Sequence, residues 1–301
     1  MKHVVWTQWS DLKVPEGMIR LSPENSPLGS SDLSSVTFFV PTYMGGRGAL
    51  EYSRQMPNLK ILQMPNAGYD DALAYLRPEI TLCNGRGIHD ASTAELAVGL
   101  TIASLRGFPE FVRDQDAGKW QHARYRSIND RKIGIVGFGS IGQTIARNFS
   151  GFDVEVIGFS KSGRDGSIKM EEFDSYLPDL DVVILILPLT EVSRGLFDAR
   201  RLALMKDGAL LVNVARGPIV VTADLIAELN TGRISAALDV TDPEPLPAGH
   251  PLWSTPGVFI SPHVGGNTSA FEPRARKLIE SQLERLATGI ALENIVVQGS
   301  Q

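Results

Sequence analysis

Short apolar runs bounded by Gly, Pro, Asn and Asp recur along the chain and alternate with longer segments of helical spacing. In the first third, Val4–Trp6, Val36–Val40, Lys60–Met64 and Ile80–Cys83 read as strands, with helices expected over Arg47–Gln55 and Asp71–Leu76. From residue 131 the rhythm sharpens. Lys132–Val136, Val154–Phe159, Val182–Leu187, Ala209–Val214, Ala236–Val240 and Val258–Ile260 are nearly continuous apolar runs, each followed by a turn and usually a helical segment. Continuous rather than alternating apolarity means that both faces of each strand are covered, as in a parallel sheet flanked by helices. The pattern predicts an α/β protein, doubly wound and built that way twice.

Two stretches read as joints. His89–Ala94 opens a helical segment reaching about Leu105, with Ser92 or Thr93 placed to cap it and Glu95 in its first turn. Gly265–Thr268 precedes a helix-patterned tail from about Ala270 to Ala287. The simplest organisation joins residues 1–90 and 268–301 in one domain and gives 91–267 to the other. Between them, Gly107–Asn129 interrupts the α/β rhythm and carries Phe108, Phe111, Trp120 and Tyr125. Such aromatics either cover the protein's own body or form a contact between two copies.

Composition narrows the class. Hydrophobic residues make up 43% and charged residues 21% of the 301, ordinary globular usage. The net charge of −5 offers no broad basic surface, so neither nucleic acid nor an anionic membrane is an expected partner. Cys83 is the single cysteine, which excludes an intrachain disulfide and suits a reducing compartment. Within a strand it reads as core rather than as a nucleophile. No apolar run reaches the length of a bilayer or of a signal peptide, and no His/Cys/Glu cluster suggests a metal. A soluble, cytoplasmic, metal-free protein is expected.

The strand at Arg131–Val136 runs into Gly137-Phe138-Gly139-Ser140-Ile141-Gly142 and then the helical run Gln143–Phe149. A G-x-G-x-x-G between a strand and a helix fits a dinucleotide. Its first glycine permits the tight turn, the second admits the pyrophosphate, and the third lets helix and strand pack closely. Which dinucleotide depends on the end of the next strand, where an NAD site places an acid on the ribose hydroxyls. Here Ser160 fills that position, followed by Lys161, Ser162 and Arg164. A serine removes repulsion against a 2′-phosphate and the two cations can pair with it, so NADP(H) is favoured over NAD(H).

Downstream, Leu187-Pro188-Leu189-Thr190, Asn213-Val214-Ala215-Arg216-Gly217, Leu238-Asp239-Val240 with Glu244, and Ser261-Pro262-His263 each follow a strand. Ligands of open α/β sheets gather outside the carboxyl ends of strands, so these residues are expected around one crevice. The ordered set GFGSIG, NVARG, LDV with EPLP, and SPH resembles the D-specific 2-hydroxyacid dehydrogenase family over nearly the whole chain. Within that family it looks most like the small NADP-linked glyoxylate/hydroxypyruvate reductases. The resemblance implies two Rossmann-like domains, an active site in the cleft between them, and a homodimer.

It also implies roles. Arg216 would hold a 2-keto acid's carboxylate with its planar fork, His263 would donate the proton, and Glu244 would orient the imidazole. Asp239, with the Ala215 carbonyl, would bind the nicotinamide carboxamide, and Pro188 and Thr190 would line the cofactor cleft. In the first domain Asn66-Ala67-Gly68-Tyr69-Asp70 looks like the family's glycine loop, whose Ala67 and Gly68 N–H groups would take the substrate carboxylate. Tyr43 and Met44 would wall the substrate's tail. The expected reaction is reduction of a small 2-keto acid to a D-2-hydroxy acid by NADPH. The alternatives are an NAD-linked dehydrogenase, such as an unregulated 3-phosphoglycerate dehydrogenase, and a dinucleotide-sensing scaffold akin to C-terminal-binding co-repressors. Glu244 argues against the formate branch, which carries an amide there. Thr241, where an aromatic commonly follows Asp-Val, is a departure.

Overall fold

A computed structural model describes residues 3–300. In chain order its strands are β1 (Val4–Trp6), β2 (Ile19–Leu21), β3 (Phe38–Phe39), β4 (Ile61–Gln63), β5 (Thr81–Cys83), β6 (Arg131–Val136), β7 (Val154–Ser160), β8 (Ile168–Lys169), β9 (Val182–Leu185), β10 (Leu210–Asn213), β11 (Ser235–Leu238), β12 (Val258–Ile260) and β13 (Ile295–Val297). The α-helices are α1 (Gly46–Glu51), α2 (Asp90–Arg106), α3 (Phe108–Asp116), α4 (Ser140–Phe149), α5 (Phe173–Tyr176), α6 (Ala199–Leu204), α7 (Thr222–Asn230) and α8 (Phe271–Thr288). The chain divides into two compact units, one holding the residues up to His89 and those from Ser269 on, the other Asp90–Thr268.

The first unit has a six-stranded sheet in the order β13-β5-β4-β3-β1-β2. Its strands run parallel except β13, which pairs antiparallel with β5 at the edge. Phe271, Ala275, Ile279 and Leu283 recur every four residues along α8 and are buried against Val5, Phe38, Val40 and Ile61. Trp6, Phe39, Leu62 and Leu82 point to the other face, beneath Leu50 and Met56.

The second unit is an all-parallel seven-stranded sheet in the order β12-β11-β10-β9-β6-β7-β8. Along β9, Val182 and Ile184 join the core under α2 and α4, while Val183 and Leu185 join the opposite core with Phe173, Phe197, Leu202 and Leu225. All four are fully buried, each contributing about 1.5–3 kcal/mol. That two-sided burial is why the sequence shows runs instead of alternation. The chain winds outward from β6 through β7 to β8, then returns to β9 on the other side of β6. The carboxyl ends of β6 and β9 therefore form a topological switch point, the place where such sheets bind ligands.

Three strands lie outside the predicted ones. β2, β8 and β13 are edge strands of two or three residues. Arg47–Gln55 is helical as α1 with a 3-10 turn at Tyr52–Gln55, and the Asp71–Leu76 prediction is a 3-10 segment, Asp70–Tyr75. The 107–129 interruption contains α3, none of whose residues is buried, and Trp120 beyond it is 96% exposed. No helix of the described residues is long and apolar enough to cross a membrane.

Candidate active site and dinucleotide turn

The glycine turn is built by close approach. Gly137 has φ +102°, a left-handed value that L side chains rarely adopt, and a Cβ there would lie 2.4 Å from the Ile186 carbonyl oxygen. By contrast, a Cβ on Gly139 would meet nothing within 4 Å, so space is open above the turn. α4 begins at the next residue, Ser140, with its first N–H groups at the same end. The Ser140 hydroxyl donates to the Asp90 carboxylate. Ile141 and Phe138 pack partly into the core beneath, Phe138 lying against Gly158 of β7, while Gly142 is buried. The open space over Gly139, at the N-terminus of α4 and beside the tight turn at Gly137, fits a pyrophosphate.

At the end of β7 the Ser160 hydroxyl accepts the Gly163 N–H at 3.0 Å and pairs with the Ser167 hydroxyl at 2.7 Å. These bonds close a compact loop on which Lys161, Ser162 and Arg164 are exposed. Lys169, opposite Ser160 on β8, lays its stem across Gly163. Among the described residues, Lys161, Arg164 and Lys169 make no ion pair, whereas Arg131, Lys132, Arg201, Lys206 and Arg233 of the same unit all do. The only carboxylate on the loop itself is Asp165, also exposed.

Beyond β9, the Ser193 hydroxyl donates to the Pro188 carbonyl and accepts the Thr190 N–H, both at 2.7 Å, shaping the predicted cofactor-lining turn. Beyond β10, Asn213 is 1% exposed. Its amide donates to the Arg216 carbonyl and its oxygen accepts the Ala215 N–H, each at 3.0 Å. Arg216 itself is half-buried and donates to the Ala215 carbonyl at 2.6 Å.

Beyond β11 and β12, two loops meet. His263 Nδ1 lies 2.5 Å from Glu244 Oε1. With Nδ1 committed to the carboxylate, Nε2 is the ring nitrogen that a reactant could use. Asp239, 3% exposed, accepts the Ser261 hydroxyl at 2.6 Å and the Val264 and Gly265 N–H groups at 2.9 Å. An ionised carboxylate has roughly four acceptor positions, so Asp239 keeps about one for a further donor.

In the first unit, Asn66 donates to the Gly68 carbonyl at 2.9 Å and Asn84 to the Ala67 carbonyl at 2.8 Å. Among the described residues the Ala67 and Gly68 N–H groups have no acceptor. Tyr43 is a packing residue there, stacked on Phe271 with centroids 3.6 Å apart, and burial pushes its phenol up to about 12. Met44 next to it is 61% exposed. Burial pushes the Cys83 thiol up to about 11, which keeps it protonated and unreactive at neutral pH.

Sequence reasoning placed Asn213 and Ser261 in their motifs without giving them a role, and passed over Ser193 and Lys169. For Asn213 a signal existed, a polar side chain closing an apolar strand. The others act through hydroxyls or a short edge strand that no spacing announces.

The family model for the NAD-binding domain of D-isomer specific 2-hydroxyacid dehydrogenases matches residues 98–265, more than half of the chain. The chain belongs to this family. The dehydrogenase is 30% identical to glyoxylate/hydroxypyruvate reductase B of Yersinia enterocolitica, over 92% of its own length and 88% of that protein. It is also 30% identical to D-3-phosphoglycerate dehydrogenase of Archaeoglobus fulgidus, but covers only 47% of that longer relative. Among solved structures, the NADPH-dependent glyoxylate/hydroxypyruvate reductase of Sinorhizobium meliloti, in complex with NADP and sulfate, superposes with a TM-score of 0.82 at 25% identity, covering 98% of each chain. The dehydrogenase is thus an NAD(P)-dependent oxidoreductase of two Rossmann-like domains, of a family whose substrates are small 2-hydroxy and 2-keto acids.

Proposed function

We propose that the enzyme uses NADPH to reduce a small 2-keto acid of the glyoxylate or hydroxypyruvate type to the D-2-hydroxy acid. The observation that carries the choice of cofactor is the end of β7. Ser160 stands there in place of a carboxylate, and Lys161, Arg164 and Lys169 surround its loop without ion-pair partners among the described residues. Ser162 adds a hydroxyl. A 2′-phosphate would meet donors there that a ribose hydroxyl does not need, and charge-assisted bonds are each worth about 1.5–3 kcal/mol.

When bound, the dinucleotide supplies a hydride to the carbonyl carbon of the substrate. Gly137–Gly142 would hold its pyrophosphate, Pro188 and Thr190 would line its cleft, and Asp239 with the Ala215 carbonyl would take the carboxamide. Arg216 holds the keto acid's carboxylate and polarises the adjacent carbonyl. Ala67 and Gly68, from the substrate domain 1–90 with 268–301, offer their N–H groups to the same carboxylate. His263 releases a proton from Nε2 to the carbonyl oxygen, and Glu244 at Nδ1 stabilises the protonated ring before transfer. The enzyme acts in the cytoplasm as a homodimer formed through residues near 107–129.

A second reading, NAD-linked oxidation of a phosphorylated hydroxy acid, draws support from the Archaeoglobus relative. Initial rates of NADPH and NADH loss with glyoxylate, hydroxypyruvate, pyruvate and phenylpyruvate, with His263→Ala as the blank, decide between them. A preference for NADPH of about tenfold or more is expected, since one charge-assisted bond suffices for it. A preference for NADH overturns the cofactor assignment. Tight dinucleotide binding without turnover of any of these acids would favour a sensing scaffold.

A further inference from the structure

Asp239 is a buried carboxylate with no cation within ion-pair distance among the described residues. Burying a charge is costly unless hydrogen-bond donors replace water. All three donors to its oxygens come from one short segment: the Ser261 hydroxyl and Val264 N–H on Oδ1, and the Gly265 N–H on Oδ2. The main-chain carbonyl of Asp239 takes a fourth, the His263 N–H at 2.8 Å. The segment so gripped is the one that presents His263. That residue has φ +52°, a left-handed conformation uncommon for anything but glycine. The fit is close, because a Cβ on Gly265 would lie 3.0 Å from Oδ2.

We propose that Asp239 and Ser261 form a clamp that presents the His263 imidazole, making Ser261 a positioning residue for proton transfer. The carboxylate is solvated only when residues 261–265 take this shape, and the shape holds His263 left-handed only while the carboxylate grips it. The imidazole is then anchored twice, by its backbone to Asp239 and by Nδ1 to Glu244. Among the described residues, loss of the Ser261 hydroxyl removes the shortest of the bonds to Asp239 and the only one that does not come from a backbone N–H. The segment can then relax, and a displacement of about 1 Å at a reacting group can cost of order a hundredfold in rate. The inference rests on the assignment of His263 as proton donor.

Ser261→Ala and Ser261→Thr in the full chain test it. Ser261→Ala is expected to lower kcat by about tenfold or more while the KM for the keto acid stays within about twofold. Ser261→Thr, which keeps the hydroxyl, should recover most of the rate. Proton NMR gives a readout independent of turnover: the low-field Nδ1–H resonance of His263 against Glu244 should be present in the wild type, lost in Ser261→Ala and restored in Ser261→Thr. Wild-type kcat and an unchanged resonance in Ser261→Ala would overturn the clamp. So would parallel losses in kcat, keto-acid KM and melting temperature that threonine does not rescue. Failure of the underlying assignment shows elsewhere, as undiminished turnover in His263→Ala, and the NMR comparison still decides the clamp.

Discussion

At Gly217 two backbones pass with no room for a side chain: a Cβ would lie 1.9 Å from the Thr241 carbonyl oxygen and 2.8 Å from the Asp242 nitrogen. The glycine thereby ties the turn bearing Arg216 to the loop leading to Glu244. Gly217→Ala must push the two apart. We expect it to cost about 1–3 kcal/mol of stability, measurable by urea unfolding, and to lower kcat at least tenfold because two residues of the proposed site shift together. The sequence already displayed Arg216 and its glycine as neighbours, but only the fold reveals what the glycine avoids. The same holds for His263 and Glu244. Their residue types and order were legible, whereas their 2.5 Å contact depends on where two separate loops end.

Among the elements, the central strands of the second unit were the most legible, because burial on both faces leaves unbroken apolar runs. Edge strands were not. β8 is two residues long with Lys169 exposed, so its contribution of a third cation to the Ser160 loop had no pattern to announce it. At the amino ends of the strands, away from the site, Asp181 knots three of them. Its carboxylate accepts the Lys132 N–H at 2.9 Å, Lys206 at 2.9 Å and Arg131 at 3.3 Å, while its carbonyl accepts the Leu210 N–H. Burial alone would raise the Asp181 carboxyl, but these donors and charges outweigh it and hold it below the usual value of 3.8. A depressed value means stability that is complete above about 3.8 and lost as pH falls below it toward the folded-state value. Asp181→Asn should therefore destabilise the protein by about 1–3 kcal/mol at pH 7. Thermal melts should show that gap closing as the pH falls through the acid range, and a gap independent of pH would assign the loss to packing instead.

At the scale of the molecule, the 107–129 segment carries several of the exposed apolar side chains. Phe108, Val112 and Trp120 are 46%, 60% and 96% exposed, while Phe111 turns its ring edge-on to Tyr125 at 4.9 Å. If this is where two copies join, light scattering at micromolar concentration will give twice 32.7 kDa, and Val112→Glu with Trp120→Ser will give 32.7 kDa. A monomeric wild type would remove the proposal. The helix patterns beside His89 and Thr268 marked the expected joints, whereas β13 had no pattern to announce it. Those same joints set an order of events at the ribosome. Ser92 and Thr268 share a hydrogen bond of 2.7 Å, so the second unit begins and ends at one place and closes on itself once its last strand emerges. The amino-terminal residues are made first yet must wait for α8 and β13, which supply one face and one edge of their sheet. At about 5–20 residues per second, that leaves strands β1–β5 incomplete for roughly ten seconds or more, a window in which a nascent-chain chaperone would find them uncovered.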